Sequence, residues 1–278
     1  MIVRDFIEED AIKIFDKDVK ENHADYNAKG LDNLYAQENK HFWFIARKEF
    51  ILKNMQKYVD KREKIIEIGA GTGNVSRYLK NNGYKNISVG EMHLNGLKYA
   101  KSYDIRECYQ FNLLHTPFKD EFDTVCMFDV LEHIKKDDFA LQNVNKSLNK
   151  SGKIVLTVPS HMWLWNRNDA IAGHKRRYTK KELINKLENN GFVILKARYF
   201  FIGIIPLLFL RTILNRDDKS EAKETELSKD ISMNPLLSNL LLFILRVENK
   251  ISHMLPNMFG GSLLIMAKKK GFHLISHL

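Results

Sequence analysis

The fold is decided by the stretch IIEIGAGTGN, which runs from Ile65 to Asn74. Its first residues, with Lys64 before them, predict a short strand. Glycines follow at positions 69, 71 and 73 and predict a tight turn that opens a helix. Glycines let the backbone approach a ligand closely, and a helix N-terminus favours polar or anionic groups. A ligand site is therefore expected where this strand gives way to the helix.

The glycine spacing argues against two common nucleotide sites. The dinucleotide fingerprint needs its third glycine at a different offset, and a phosphate loop needs Gly-Lys-Ser/Thr, which this turn lacks. Glu91 follows Gly71 by 20 residues and ends the next predicted strand. An acid at that offset suits hydrogen bonding to a ribose diol, whereas the alternative is a surface glutamate. The turn and the acid together favour a nucleoside site.

Outward from this turn, strands alternate with helices. The predicted strands are Lys64–Ile68, Asn86–Val89, Ile105–Phe111, Phe122–Met127, Lys153–Val158, Phe192–Tyr199 and Ser262–Ala267. The predicted helices are Asn74–Lys80, Leu94–Ser102, Asp137–Leu148 and one that runs from a capping box at Thr179 to Asn190. This alternation with short links predicts an α/β fold with a doubly wound, mostly parallel seven-stranded sheet.

Four regions divide the chain. Residues 1–62 have apolar residues at helical spacing and are predicted to form an N-terminal helical cap. Residues 63–200 hold the alternating core, and residues 261–278 hold the closing strand and a basic tail. Residues 201–260 form an insert between strands six and seven, with apolar segments around a charged stretch. Three accounts of the apolar segments remain open: a cover on the core, a dimer interface, or an element that dips into a bilayer.

The composition is that of a globular protein with an anionic partner. Apolar residues make up 44% and charged residues 28%, which excludes global disorder, and the net charge is +10. The excess lies in residues 40–62, with seven basic and two acidic residues, and in residues 174–181, with five basic residues. An anionic acceptor, a membrane rim or nucleic acid would suit it. Two cysteines are too few for a disulfide framework or a zinc site, so no metal site is predicted.

The cellular compartment of the protein is predicted from its composition and from its N-terminal residues. Few cysteines suggest a reducing compartment, and no apolar core follows a basic start. The longest apolar run, Phe200–Leu210, is about half the length of a spanning helix. We therefore expect a cytoplasmic protein that could work at the inner face of the membrane.

Three further motifs complete a family pattern. HFWFIAR covers His41–Arg47, NLLHTPF covers Asn112–Phe118 and FDTVCMFDVLEHI covers Phe122–Ile134. With EIGAGTG and Glu91, they resemble the class I S-adenosylmethionine (SAM)-dependent methyltransferases, in their small-molecule O-methyltransferase-like branch. The resemblance covers about residues 38–200 and the closing strand, and it implies a Rossmann-like fold with SAM as cofactor. Asn112 stands where that family usually has an aspartate.

The resemblance also implies a set of cofactor contacts. Glu67 would hold the ammonium of SAM, Arg47 its carboxylate and Asn112 its adenine amino group. The alternative for residues 41–47 is an amphipathic helix that packs its aromatic side chains on the sheet. The full cofactor set is Trp43, Arg47, Glu67, Gly69, Ala70, Gly71, Gly73, Glu91, Met92, Asn112, Leu113 and Phe128.

Histidine and arginine supply the candidate groups for the acceptor. His133 and His174 are the candidate catalytic bases, since imidazole titrates near neutral pH and a base helps a hydroxyl acceptor. The alternative for each is a structural or surface histidine. A guanidinium suits a phosphate or carboxylate. The predicted acceptor-binding residues are His161, Arg176, Arg177 and Tyr178.

These motifs predict transfer of a methyl group from SAM to a small-molecule or lipid-linked glycan acceptor, at oxygen, by in-line displacement. One alternative is a nucleic-acid methyltransferase, against which the absence of an Asn/Asp-Pro-Pro-Tyr/Phe segment after strand four argues. Another is a non-catalytic SAM-binding subunit at a membrane. Peripheral membrane contact through residues 200–247 and a homodimer are the expected partner arrangements.

Overall fold

Nine strands form one sheet in the part of the chain that the computed structural model describes, which is residues 1–17, 19, 28–214 and 234–271. They are β1 (Ile7–Glu9), β2 (Ile12–Ile14), β3 (Ile65–Ile68), β4 (Ile87–Glu91), β5 (Cys108–Gln110), β6 (Phe122–Phe128), β7 (Leu148–Pro159), β8 (Phe192–Phe200) and β9 (Ser262–Lys269). Their order is β1-β2-β5-β4-β3-β6-β7-β9-β8. Neighbours run parallel from β2 to β7, whereas β1 and β9 are antiparallel to theirs. The predicted α/β class and mostly parallel sheet are confirmed.

The predicted count of seven strands is wrong because β1 and β2 lie in the region that was expected to be helical throughout. Ile12 and Ile14 are buried on either side of the less buried Lys13, which is the two-residue period of a strand. β2 pairs with the edge of β5, so Ile12 lies beside Cys108. The pattern covers only three residues, which is too short to outweigh the helical spacing farther along the chain.

Nine helices surround the sheet in the described ranges. They are α1 (Ala28–Gln37), α2 (Phe42–Tyr58), α3 (Asn74–Asn81), α4 (Leu94–Ser102), α5 (Asp137–Ser147), α6 (Arg167–Ile171), α7 (Lys180–Asn189), α8 (Ile205–Leu214) and α9 (Pro235–Ile251). Local capping sets two of the starts. The predicted box at α7 forms between Thr179 and Glu182, and the His41 side chain accepts a hydrogen bond from the Trp43 backbone at α2.

Two hydrophobic layers hold the helices on the two faces of the sheet. On one face, α5 and α7 bury residues such as Leu141 and Leu183. On the other face, α2, α3 and α9 pack around Phe50, whose ring stacks on Phe200 at 4.3 Å between centroids. A doubly wound sheet needs apolar cover on both faces, and these layers supply it.

The insert contributes α8 and α9. α9 packs against α2, and its buried Glu248 accepts hydrogen bonds from the backbone N–H groups of Ile202 and Gly203 at 2.9 and 2.8 Å. The charged stretch of the insert, residues 215–233, and the end of the basic tail, residues 272–278, lie outside the described residues. Within the described ranges, the helices fall short of the length and apolarity that crossing a bilayer requires.

Replacement of Phe118 by alanine tests the first of these layers. Phe118 is fully buried, and we expect F118A to lower the free energy of unfolding by about 3–5 kcal/mol in urea titrations. Its control is F139A, at a half-exposed position on α5, where the loss should be small. Equal losses in both variants would contradict the packing described. The four rings that Phe118 contacts are Phe15, Tyr109, Phe111 and Phe122.

Candidate functional site

A cavity of about 460 Å³ opens at the carboxyl ends of the central strands. It lies where the strand order reverses, because the chain leaves β3 toward β4 on one side and adds β6 on the other side. Ligands of open α/β sheets bind at this switch point. The ends of β3, β4 and β6 contribute Glu67, Glu91 and Phe128 to the cavity wall.

The glycine turn forms the floor of the cavity. Gly69, Gly71 and Gly73 have φ angles of +69°, +57° and +79°, in the left-handed region that favours glycine. A methyl group at Gly69 would lie 2.6 Å from the Val130 side chain, and one at Gly73 would lie 2.8 Å from Ala100. Gly69 and Gly71 line the cavity, whereas Gly73 packs against α4 and begins α3. The backbone path therefore favours glycine at all three positions, and Gly69 and Gly71 also form part of the cavity surface.

Glu91 fastens this turn to the end of β4. Its Oε2 accepts a hydrogen bond from the Gly71 backbone at 2.9 Å, and its Oε1 accepts from Met92 and His93 at 2.7 and 3.2 Å. A carboxylate has about four acceptor positions, and three are filled. About one remains for a ribose hydroxyl, which is fewer than the two that the sequence analysis expected.

A second acid, Glu38, contacts the glycine turn and was not predicted from the sequence. The Thr72 hydroxyl lies 2.6 Å from both carboxylate oxygens of Glu38, which follows α1 and lines the cavity. Burial raises the pKa of Glu38, and the bond from Thr72 opposes that shift. The contact joins residues 34 positions apart, so no local pattern indicates it.

Glu67 is buried beneath the turn and lines the cavity. The Ser76 hydroxyl of α3 donates a hydrogen bond to its carboxylate. Burial raises the pKa of Glu67 to about 7, against the opposing effect of Ser76. A cationic group in the cavity would favour the ionised form of this side chain.

Arg47 and Trp43 close the cavity from α2. The Arg47 guanidinium lies over the Trp43 ring at 4.7 Å and forms an ion pair with Asp129, at the end of β6. The sequence predicts a cofactor carboxylate as the partner of Arg47. In the structure, Arg47 has Asp129 as a partner within the protein. Among the described residues the buried Nε of Arg47 has no hydrogen-bond partner, so this arginine retains a donor.

Asn112, the predicted partner of the adenine amino group, also forms hydrogen bonds within the protein. The Asn112 side-chain oxygen accepts a hydrogen bond from the Leu114 backbone at 2.9 Å and caps a short 3₁₀ turn. The Asn112 backbone donates to Asp16 at 2.8 Å. Asn112, Leu113 and Met92 all line the cavity. The Asn112 oxygen is thus shared with the backbone.

The far end of the cavity is polar. Glu132 and His133 lie on a 3₁₀ turn after β6, and His174 follows α6. The His174 Nδ1 lies 2.8 Å from Asp169, which also receives two hydrogen bonds from Arg177, at 2.9 and 2.8 Å. Burial alone would raise the pKa of Asp169, but its bonds to His174 and Arg177 hold it below its usual value. Arg177 therefore holds Asp169, although it was predicted to bind the acceptor.

Three predicted acceptor-binding residues do not line the cavity, and each has a structural partner. His161 stacks on Tyr199 at 4.8 Å. Arg176 and the Tyr178 hydroxyl both bind Asp137, at 2.7 and 2.8 Å. These contacts within the protein engage all three side chains, and their contact with the acceptor stays a prediction.

Within the two basic segments, the two arginines on the cavity wall are also ion-paired. Arg47 pairs with Asp129 and Arg177 with Asp169. Others bind groups elsewhere in the protein: Lys48, Lys53, Arg62, Arg176 and Lys180. Carboxylates therefore offset the charge of both cavity arginines from these segments, which lowers the positive charge that a ligand meets there.

Comparison with known proteins decides the family. A model of the family described as "Methyltransferase domain" matches residues 35–197, which is more than half of the chain. The chain belongs to this family. It is a class I SAM-dependent methyltransferase.

Relatives and solved structures agree with this assignment. An uncharacterised methyltransferase from Alkaliphilus oremlandii is 27% identical in an alignment of 204 residues, and the match covers 67% of this chain and 88% of the relative. A SAM-dependent methyltransferase from Thermotoga maritima shares the fold with a TM-score of 0.54 at 16% identity, covering 88% of this chain and 100% of that one. Phosphoethanolamine N-methyltransferase 2 from Haemonchus contortus, solved with SAM, has a TM-score of 0.56 at 17% identity, covering 90% and 59%.

The cavity of the methyltransferase fits SAM. Its volume lies in the range of small-molecule sites, and its floor is a turn of left-handed glycines. The remaining Arg47 donor would meet the carboxylate of SAM, and Glu67 its ammonium. The predicted residues that line the cavity are Trp43, Arg47, Glu67, Gly69, Ala70, Gly71, Glu91, Met92, Asn112, Leu113, Phe128, His133, His174 and Arg177.

Replacement of Glu91 by glutamine should weaken SAM binding by about 10–100-fold in calorimetric titrations, since charged hydrogen bonds are worth about 1.5–3 kcal/mol. The amide would also set a donor against backbone donors that now bind the carboxylate. The matched control is E107Q, at a half-exposed glutamate that pairs with Lys13. A wild-type affinity of E91Q for SAM would contradict the assignment of Glu91 to the cofactor site.

The raised pKa of Glu67 predicts a pH dependence of stability in the SAM-free protein. Its folded pKa of about 7 exceeds its ordinary value of 4.5, so between these values the native state binds more protons than the unfolded state. Stability should therefore fall by up to about 3 kcal/mol as the pH rises through this window, and then level off. The E67Q variant lacks this contribution. Urea titrations at about pH 5 and about pH 8 compare the two proteins, and parallel profiles would contradict the assignment.

Proposed function

We propose that this methyltransferase transfers the methyl group to an oxygen of a lipid-linked or similarly amphipathic acceptor. The observation that carries the proposal is the position of α8. One side of this helix lines the cavity with Leu207, Leu208 and Arg211. The other side leaves Phe209 and Ile213 about half exposed. One short helix thus connects the reaction cavity to an apolar outer surface.

The apolar surface extends beyond α8. Trp163 is half exposed, and its ring lies 6.2 Å from that of Phe209. α9 also has exposed apolar side chains, Leu236, Leu240 and Phe243. Apolar surfaces of this kind mark sites that contact membranes, partners or ligands. A lipid chain held there would lead its polar head toward the cavity.

The reaction itself needs positioning more than acid–base chemistry. SAM supplies a methyl group that its sulfonium already activates. The acceptor oxygen would attack the methyl carbon opposite the carbon–sulfur bond, and the electrons of that bond would pass to sulfur. Arg47 and Trp43 would cover the cofactor and exclude water. His133 and His174, at the polar end, are the candidate groups that handle the hydroxyl proton.

The membrane contact predicts a loss of vesicle binding. A variant with F209S, L210S and I213S should sediment poorly with phosphatidylcholine–phosphatidylglycerol vesicles, because it removes three exposed apolar side chains of α8. With tritiated SAM and a membrane lipid extract, its transfer of label to the organic phase should fall, while SAM binding stays unchanged.

The control is the double variant V193S/L195S, which alters two exposed apolar residues of β8. Wild-type sedimentation by the α8 variant would overturn the proposal, as would label found only in water-soluble products. A dimer that the α8 variant abolishes, without vesicle binding in either protein, would assign the face to a homodimer instead.

A further inference from the structure

The polar end of the cavity contains a buried acid whose carboxylate oxygens lack hydrogen-bond partners among the described residues. Glu132 is fully buried and lines the cavity. Neither of its carboxylate oxygens has a hydrogen-bond partner among the described residues. A buried polar group without partners is costly, and a carboxylate more so. Such a side chain indicates a ligand that completes it.

The charges around Glu132 are otherwise matched. Asp129 pairs with Arg47, and Asp169 pairs with Arg177. Each of these ion pairs is neutral overall. Among the described residues, an ionised Glu132 carboxylate would therefore have no lysine or arginine partner, and it lies beside two imidazole rings. A bound cation would balance it.

Two histidines place nitrogen atoms next to this acid. One ligand atom from each of Glu132, His133 and His174 lies within 4.8 Å of the others. The His174 Nε2 lies 3.8 Å from the Glu132 Oε1, which is too long for a hydrogen bond. Ligands of a tetrahedral zinc ion stand about 3.4 Å apart, so a small side-chain shift would close the group around an ion. The backbone supports the arrangement, since the Lys175 N–H bonds to the Glu132 carbonyl at 2.8 Å.

An outer set of residues orients His174 in the way that metal sites require. Its Nδ1 lies 2.8 Å from Asp169, so an Nδ1–H donor leaves Nε2 as a lone pair directed at Glu132. Arg177 fixes Asp169 in turn through two hydrogen bonds. A carboxylate behind a ligating histidine is the common second layer of metal sites.

We propose that Glu132, His133 and His174 bind a divalent transition-metal ion at the acceptor end of the cavity. Two imidazoles and one carboxylate suit zinc, manganese or ferrous iron, and three protein ligands leave open positions. The cysteine count alone does not indicate such a site, because its ligands are histidine and glutamate.

The role of the ion in the reaction rests on the proposed transfer to oxygen. An acceptor hydroxyl at an open position would have its pKa lowered by the metal, so that the proton leaves to solvent before the oxygen attacks. The histidines would then act as ligands rather than as bases. Arg177, predicted from the sequence to bind the acceptor, becomes a positioning residue that acts through Asp169 and His174.

Cobalt binding tests the site without any acceptor. The full-length protein is treated with EDTA, dialysed and titrated with Co²⁺ while its visible absorption and heat of binding are recorded. We expect about one equivalent to bind, with ligand-field bands in the visible range. E132Q and H174Q should lower the affinity by at least about 100-fold, and D169N by about 10–100-fold. The matched control H161Q alters a histidine outside the group and should bind as the wild type does.

SAM titration of each variant shows separately that it is folded and that the cofactor site is intact. Absence of stoichiometric Co²⁺ uptake by the wild type would overturn the metal site. So would wild-type uptake by variants E132Q and H174Q that still bind SAM. Either result would leave the lipid-acceptor proposal standing, because vesicle binding and organic-phase labelling are measured independently.

Discussion

The site depends on the hydrogen bond between the Glu91 carboxylate and the Gly71 backbone. It joins the end of β4 to the turn after β3, at the point where the strand order reverses. The same carboxylate binds the two residues that follow it, so a single side chain shapes both walls of the nucleoside end. Left-handed glycines make the turn possible, and the Glu38–Thr72 contact holds it from above. Backbone hydrogen bonds from Gly69 and Ala70 to the Gly90 carbonyl join the same turn to β4, and the Glu91 carboxylate extends this connection to Gly71.

Much of the fold could be predicted because its signals are local. A strand, a glycine turn and a capped helix each span fewer than a dozen residues, so the central sheet and the start of α7 follow from spacing and composition. The hairpin of β1 and β2 could not be predicted, because a three-residue strand is too short to show a clear alternation of apolar and polar residues. Glu38 escaped notice because its partner arrives from a distant part of the chain.

The acceptor end was predictable only in outline. His133 and His174 do meet there, with ring centroids 4.7 Å apart. The sequence could not show that Arg177 is already bound by Asp169, since that depends on how the segment after α6 folds back. The unpartnered Glu132 was hidden for the same reason, because burial without a partner is a property of packing. The net charge of the chain is +10, but it does not describe the cavity, because Arg47 and Arg177 on the cavity wall are paired with aspartates.

The most direct measurement is a crystal structure of the protein with S-adenosylhomocysteine and Mn²⁺. We expect a ribose hydroxyl on the Glu91 carboxylate, the amino group near Glu67, and the sulfur atom directed toward the end of the cavity that holds Glu132 and His174. The anomalous signal of manganese should lie among Glu132, His133 and His174. A ligand bound elsewhere, or in this cavity with its ribose away from Glu91, would contradict the account at its foundation.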